Sequence, residues 1–288
     1  MKSWKIGAIA GLIAGIVGGI ATFVNILSVL IPAFGIKQHW GLETLSTEVI
    51  RIIAYVEITL SIIWWIAAGL IYVKIYDLIP GKGILKGLVY SLGMYLIFCV
   101  RTGSLELFYG RITVAIAWFS LFYTYIIGGL VFGASYEFLS NKYSVTKYKP
   151  KISKNDSVKG IYAGAFGGLA MGIVVFLYMS LIVNPYLYQS FAADVGFLIG
   201  QLGTHMFFNM VWCASFGVLF VRFYERIPGK GLLKGFIFSM VIFFFTTGRT
   251  ATFSLAYGQI LWFIANMLAI LGFLAFGIII GYLYKPKK

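Results

Sequence analysis

Long apolar runs separated by short polar segments dominate the chain. A membrane-spanning helix needs about 20 mostly apolar residues, and eight runs reach or approach that length. Because a backbone in lipid must satisfy its own hydrogen bonds, we expect these runs to be helices. The pattern predicts an all-α integral membrane protein with eight transmembrane helices, at about residues 6–33, 48–76, 84–100, 112–138, 160–183, 197–224, 232–248 and 260–284.

A repeated motif divides the chain into halves. Residues 79–87, Ile-Pro-Gly-Lys-Gly-Ile-Leu-Lys-Gly, return at 227–235, 148 residues later, with one change, Ile84 to Leu232. We predict a four-helix repeat at 1–139, a cytoplasmic basic linker at 140–159 and a second four-helix repeat at 160–288. Since each repeat has an even number of spans, the repeats should be parallel, with a pseudo-twofold axis along the membrane normal.

Basic residues outnumber acidic residues, 23 to 9, and give a net charge of +14. They lie in short loops and tails rather than on one face, which argues against nucleic-acid binding. Most of them share one side of the membrane if the N-terminus is inside, so the positive-inside rule places both termini in the cytoplasm. We predict a protein of the cell membrane whose main partner is the lipid bilayer, and we leave open a homo-oligomer or a larger membrane complex.

Each half opens with glycines at every fourth position. On a helix this spacing makes one bare stripe, which lets a second helix approach closely. We predict that two such stripes pack helices together, one formed by Gly7, Gly11, Gly15 and Gly19 and the other by Gly160, Gly164, Gly168 and Gly172.

Ionisable groups inside the predicted spans mark the candidate site, because burying them in a membrane is costly. The 148-residue offset pairs Glu57 with His205, so the halves carry an acid and an imidazole at one depth. Gln201 and Asn209 lie one turn to either side of His205 on the same helical face. We expect these side chains to bind a small solute or protons in a shared polar cavity. The alternative is that they only hydrogen-bond between helices and help packing.

A second pair, Arg101 and Arg249, is predicted at the outer ends of the third and seventh helices. Two guanidinium groups could attract and hold an anion, because arginine binds oxyanions through paired hydrogen bonds. The alternative is that both side chains reach the membrane surface or pair with nearby acidic residues.

The Pro-Gly-Lys-Gly motif predicts a tight turn, because proline presets one backbone angle and glycine permits a positive φ. Glycine-rich turns before a helix can bind phosphate, but this spacing does not match the Walker A motif. We interpret it as a cytoplasmic turn whose lysines set the orientation and contact anionic lipid headgroups. These lysines are Lys82 and Lys86 in the first half and Lys230 and Lys234 in the second.

The chain offers no recognisable catalytic or metal-binding motif. It lacks His-Glu-x-x-His and Gly-x-Ser-x-Gly, and its two cysteines, Cys99 and Cys213, lie inside separate apolar runs. We therefore expect no enzyme activity, no cofactor and no metal.

Three parts of the second half together resemble small multi-pass membrane proteins of prokaryotes: the glycine stripe, His205 with Asn209, and the basic turn with Lys230 and Lys234. The resemblance implies a membrane protein but no known activity. The polar pairs favour a channel or secondary transporter for a small solute. The alternative is a structural or assembly subunit of a membrane complex.

Overall fold

The computed structural model describes residues 3–31, 46–108, 112–142, 154–183, 195–256 and 258–286. Within these ranges the chain is helical and contains no strand. This confirms the prediction of an all-helical, multi-pass membrane protein. Eight stretches are long and apolar enough to cross a membrane: Ser3–Val29, Thr47–Leu78, Ile84–Ser104, Trp118–Asn141, Asp156–Leu181, Leu202–Arg226, Leu232–Ala256 and Phe263–Leu283.

Residues Met1–Lys149 form the first of two compact units, here called unit 1. Its helices are α1 (Ser3–Asn25), α2 (Thr47–Ile75), α3 (Ile84–Tyr95), α4 (Arg101–Phe108), α5 (Ile112–Ser120) and α6 (Phe122–Lys142). α1 packs against α2 and α6, and α6 also packs against α3. π-Helical turns follow α1 at Ile26–Leu30 and join α3 to α4 at Leu96–Val100, and a 3-10 turn, Tyr76–Leu78, ends α2.

Residues Pro150–Lys288 form unit 2. Its helices are α7 (Lys154–Tyr178), α8 (Val195–Phe223), α9 (Leu232–Phe243), α10 (Arg249–Ala256), α11 (Ile260–Leu268) and α12 (Ile270–Leu283). α7 packs against α8 and α12, and α12 also packs against α9. π-Helical turns follow α7 at Met179–Val183 and join α9 to α10 at Phe244–Gly248, and a 3-10 turn, Tyr224–Arg226, ends α8.

The N-terminus of α2 is determined by a local hydrogen bond. The Ser46 hydroxyl accepts a hydrogen bond of 3.2 Å from the Val49 amide, and Glu48 lies in the first turn. Both features stabilise a helix start, because they satisfy a free amide and complement the positive end of the helix dipole. α2 can therefore begin at Thr47, before its apolar run does.

Several helix ends differ from those that apolarity predicts. The runs at 112–138 and 260–284 each contain two helices, which meet after Ser120 and after Leu268. α6 extends to Lys142 and α7 begins at Lys154, so helix continues into both ends of the predicted linker. Apolarity therefore marks the membrane-embedded part of a helix and not its full length.

The glycine stripe of α1 lies against the backbone of α2. A Cβ added at Gly15 would lie 2.5 Å from the Ile62 Cα, and one at Gly19 would lie 2.8 Å from the Ile58 Cα. At Gly7 and Gly11 the added Cβ would meet the carbonyl oxygens of α2. Any side chain on this stripe would therefore force the helices apart.

The stripe of α7 lies in the same way against α8. A Cβ at Gly172 would lie 2.7 Å from the His205 carbonyl oxygen, and one at Gly168 would meet the Asn209 carbonyl oxygen. Gly160 and Gly164 face the α8 backbone further along the helix. The polar residues of α8 are thus held directly against a bare helix face.

Candidate functional site

Glu57 is a buried carboxylate in the first half of α2. Its side chain is 5% exposed, and Ser61, one turn further along the same face, is also buried. A Cβ at Gly19 of α1 would lie 3.1 Å from the Ser61 Cβ, so this face of α2 is turned toward α1. The helix pair α1–α2 therefore keeps a titratable group away from solvent within unit 1.

α1 adds buried polar groups that the pairing of residues between the two halves does not predict. The Thr22 hydroxyl donates a hydrogen bond of 2.9 Å to the Gly18 carbonyl, and Thr22 is buried. Asn25, at the end of α1, is fully buried, and its Nδ2 donates a hydrogen bond of 3.1 Å to the Ser120 Oγ. The Asn25 Oδ1 has no hydrogen-bond partner among the described residues.

His205 and Asn209 form the corresponding polar stripe of α8 in unit 2. Both are buried, with 8% and 4% of their surfaces exposed. The Asn209 Nδ2 donates a hydrogen bond of 2.8 Å to the His205 carbonyl one turn earlier. Part of the hydrogen-bonding capacity of Asn209 is therefore used within α8.

The remaining predicted site residues are placed only by their helices. Arg101 and Arg249 are the first residues of α4 and α10, and Gln201 lies in α8. Their side chains are outside the described part of the chain. Glu57 belongs to unit 1 and His205 to unit 2. The predicted anion vestibule and the predicted cavity shared by the two titratable groups both stay predictions.

The Pro-Gly-Lys-Gly turn of unit 1 uses its two lysines differently. Gly81 and Gly83 have positive φ angles of 99° and 55°, as the motif predicts for a tight turn. Lys82 is exposed. The Lys86 Nζ instead donates a hydrogen bond of 2.6 Å to the Tyr76 carbonyl and lies 4.0 Å from the centre of the Tyr76 ring. Lys86 thus binds the end of the preceding helical segment.

The turn of unit 2 has the same arrangement. Lys230 is exposed, whereas Lys234 is buried. The Lys234 Nζ donates a hydrogen bond to the Tyr224 carbonyl and lies 4.1 Å from the centre of the Tyr224 ring. The sequence assigned all four lysines to the lipid surface, but one in each turn is engaged inside its own unit.

A cluster of aromatic rings lies beside each of these lysines. In unit 1 the Tyr72 ring lies 4.9 Å from the Tyr136 ring and 5.1 Å from the Tyr90 ring. The Tyr90 hydroxyl donates a hydrogen bond of 2.9 Å to the Ala68 carbonyl, and the Tyr76 hydroxyl donates one of 3.2 Å to the Glu137 Oε2. The buried Tyr72 and Tyr136 hydroxyls have no partner among the described residues.

The cluster of unit 2 is less polar. Phe220 packs edge-on against Tyr224 and Tyr284, with ring centres 5.5 Å and 5.8 Å apart. Tyr284 lies just beyond the last membrane-spanning stretch. Burial raises the pKa of Tyr284 to about 12, and the nearby Asp156, Tyr224 and Glu225 add to the effect because a negative charge there disfavours the phenolate.

These groups do not form a recognisable catalytic or metal centre. Among the described residues, no three His, Cys, Asp or Glu side chains gather closely enough to hold a metal ion. Comparison of the chain with family models, curated proteins and solved structures gives no match. The function must therefore be argued from the buried polar groups themselves.

Proposed function

We propose that the protein is a secondary transporter or channel for a small solute, with Glu57 and His205 as its titrating groups. The observation that carries the proposal is a buried carboxylate in one membrane-spanning helix and a buried imidazole in another, 148 residues apart. An acidic or basic side chain at the centre of a bilayer costs about 3 kcal/mol on insertion scales, so such residues are usually functional.

The spacing of the helices supports a duplicated four-span unit. α2 and α8 both start and end 148 residues apart, and so do the π-helical turns at 96–100 and 244–248. The π-helical turns at 26–30 and 179–183 are separated by the 153 residues that also separate the glycine stripes. A duplicated four-span unit with both termini in the cytoplasm accounts for these offsets and for the distribution of lysines.

The other predicted residues take supporting roles in this proposal. Gln201 and Asn209 provide polar groups along α8, and Arg101 and Arg249 attract anions at the outer surface. Lys82 and Lys230, the exposed lysines of the two turns, contact anionic headgroups. The protein needs no enzymatic step for this function.

Proton flux into reconstituted vesicles tests the proposal. Purified protein is placed in liposomes that contain a pH-sensitive dye, and flux is driven by an imposed gradient with and without a panel of small solutes. We expect Glu57→Gln and His205→Ala to reduce flux at least tenfold. Glu48→Gln is the matched control, because Glu48 is an exposed carboxylate on the same helix. Flux no higher than in empty liposomes, or equal flux in all variants, would overturn the proposal.

A structural or assembly subunit is the second candidate. The tight contact of α7 with α8 through the glycine stripe is what a packing role requires. Purification in a mild detergent tests this role. Stoichiometric partner proteins would support it, whereas a clean monomer or homodimer would count against it.

A further inference from the structure

The carbonyl oxygen of Asn25 is the strongest unexplained polar group in unit 1. The side chain is fully buried, yet its Oδ1 accepts no hydrogen bond from the described residues. Its amide nitrogen is bound to Ser120, which holds the oxygen in one orientation. Buried polar atoms are normally paired, so an unpaired acceptor points to a ligand that lies outside the described residues.

Asn25 also lies where α1 loses its regular helix. It is the residue before the π-helical turn Ile26–Leu30. Such turns shift the backbone hydrogen bonds by one residue and often mark functional sites in membrane and soluble helices.

Further oxygen-bearing side chains converge on this part of unit 1. Gly18, Thr22 and Asn25 share one face of α1, because they follow the spacing i, i+4, i+7. A Cβ added at Gly18 would lie 3.7 Å from the Ser61 Oγ, so that face is turned toward Ser61 of α2. The two helices are antiparallel, with Gly15 beside Ile62 and Gly19 beside Ile58.

This register brings Glu57 level with the turn of α1 between Gly19 and Thr22. Glu57 also shares the face of α2 that carries Ser61, one turn away. In the same register Asn25 is level with the turn of α2 that precedes Glu57. A carboxylate, an amide oxygen and two hydroxyls, those of Thr22 and Ser61, therefore lie on successive turns of the α1–α2 pair. All four side chains are buried.

Packing alone does not require these oxygen atoms. The residues of unit 2 at the matching sequence positions of Thr22, Asn25 and Ser120 are Val175, Tyr178 and Leu268. Val175 and Tyr178 are buried in their unit, and α7 still packs against α8 and α12. The same helix arrangement thus forms with Val175, Tyr178 and Leu268 in place of Thr22, Asn25 and Ser120.

We propose that unit 1 binds a small hard cation, Na⁺ in the first instance, through the Asn25 Oδ1 and the Glu57 carboxylate. Carboxylate, amide and hydroxyl oxygens are the ligands that such cations prefer. The carboxylate balances the charge of the ion. Cation binding itself does not depend on the proposed transport function. The role of Na⁺ as the coupling ion does rest on that function.

Thermal unfolding of the purified protein in detergent tests cation binding without transport. Choline chloride replaces NaCl at constant ionic strength, so that only the cation changes. A ligand that binds the folded state alone raises Tm, by roughly 3 °C when its concentration is about ten times the dissociation constant. We expect this rise with Na⁺ and a smaller rise with K⁺.

Four variants locate the site. Asn25→Leu and Glu57→Gln should abolish the Na⁺-dependent rise, whereas Asn25→Asp retains an oxygen ligand and should keep it. Ser28→Ala is the matched control, because the exposed Ser28 lies in the same π-helical turn and bonds only to the Val24 carbonyl of its own helix. If Asn25→Leu does not fold, the contrast between Glu57→Gln, Asn25→Asp and Ser28→Ala still decides the question.

The absence of a Na⁺-specific rise in the unmodified protein, or an unchanged rise in Glu57→Gln, would overturn the cation site. Proton-driven flux with no Na⁺-specific rise would leave the proposed function standing and remove this inference. A Na⁺-specific rise without any flux would retain the site and remove the transport function.

Discussion

Lys86 binds the end of the helical segment that precedes its own turn: its Nζ donates a hydrogen bond of 2.6 Å to the Tyr76 carbonyl. The same ammonium lies 4.0 Å from the centre of the Tyr76 ring. A cation at a helix C-terminus satisfies a free carbonyl and complements the negative end of the dipole. Lys234 repeats both contacts with Tyr224. The equal separation of tyrosine and lysine in the two halves is therefore explained by this contact as well as by membrane topology.

Replacing these lysines should destabilise the protein. We expect Lys86→Met and Lys234→Met each to lower the free energy of unfolding by about 2 kcal/mol, because a charged hydrogen bond and a cation–π contact are lost. Lys82→Met and Lys230→Met are the matched controls, since both side chains are exposed on the same turns. Thermal unfolding in detergent measures the difference, and equal losses in all four variants would contradict the capping role.

The glycine stripes should tolerate no side chain. We expect Gly164→Ala to lower the free energy of unfolding by about 3 kcal/mol, because its Cβ would meet the Cys213 carbonyl oxygen of α8. Gly93→Ala is the control, since an added Cβ there meets nothing within 4 Å. That control should be neutral or gain about 0.5 kcal/mol from helix propensity. Similar stability of the two variants would show that α7 and α8 are not held by the bare stripe.

Much of the fold follows from the sequence because lipid imposes simple rules. A long apolar run must be a helix, so the eight spans could be predicted from run length alone. The breaks after Ser120 and Leu268 could not, since both lie inside long, mostly apolar runs that contain no proline or glycine at the break. The π-helical turns were missed for the same reason: a one-residue change in hydrogen bonding leaves apolarity unchanged.

The candidate site was predicted around positions where both halves carry a polar residue, and Gln201 was added because it shares the helical face of His205. Glu57 and His205 emerged because the repeat pairs them. Asn25 did not, because the matching residue is Tyr178. The sequence does carry a signal for Asn25, because an asparagine in a mostly apolar run is unusual and polar residues inside membrane spans are usually functional. The hydrogen bonds of Lys86 and Lys234 to the Tyr76 and Tyr224 carbonyls could not be predicted, because sequence alone does not show which lysine of a turn folds back onto its own unit.

Two tyrosine hydroxyls of unit 1 should contribute differently to the free energy of unfolding. Tyr72→Phe should leave the free energy of unfolding unchanged or raise it by about 1 kcal/mol, because the buried hydroxyl has no partner among the described residues. Phe220 already occupies the matching position of unit 2 with similar ring packing. Tyr90→Phe should instead lower it by about 1 kcal/mol, because the hydrogen bond to the Ala68 carbonyl is lost.

Thermal unfolding of both variants in one buffer checks this contrast. A clear loss of stability in Tyr72→Phe would mean that its hydroxyl binds a group from outside the chain, such as a buried water molecule. That outcome would contradict the prediction and would add a second polar site to unit 1.

Tyr284 should make stability sensitive to alkaline pH. Its pKa in the folded protein is about 12, above the ordinary value of 10.0, because the side chain is buried beside acidic residues. The folded state therefore holds the phenol proton more tightly than the unfolded state does. This contribution to stability is fully present below pH 10 and is lost as the pH rises from 10 to 12.

Removing the titrating group should weaken this dependence. We expect the Tm of Tyr284→Phe to fall less between pH 9.5 and pH 11.5 (roughly the range of the titration) than the Tm of the unmodified protein. Tyr282→Phe is the matched control, because Tyr282 is exposed two residues earlier in the chain. The comparison of slopes isolates Tyr284 from the other tyrosines, which are common to all three proteins. Identical slopes would show that the phenol of Tyr284 titrates in the folded protein as it does in the unfolded chain.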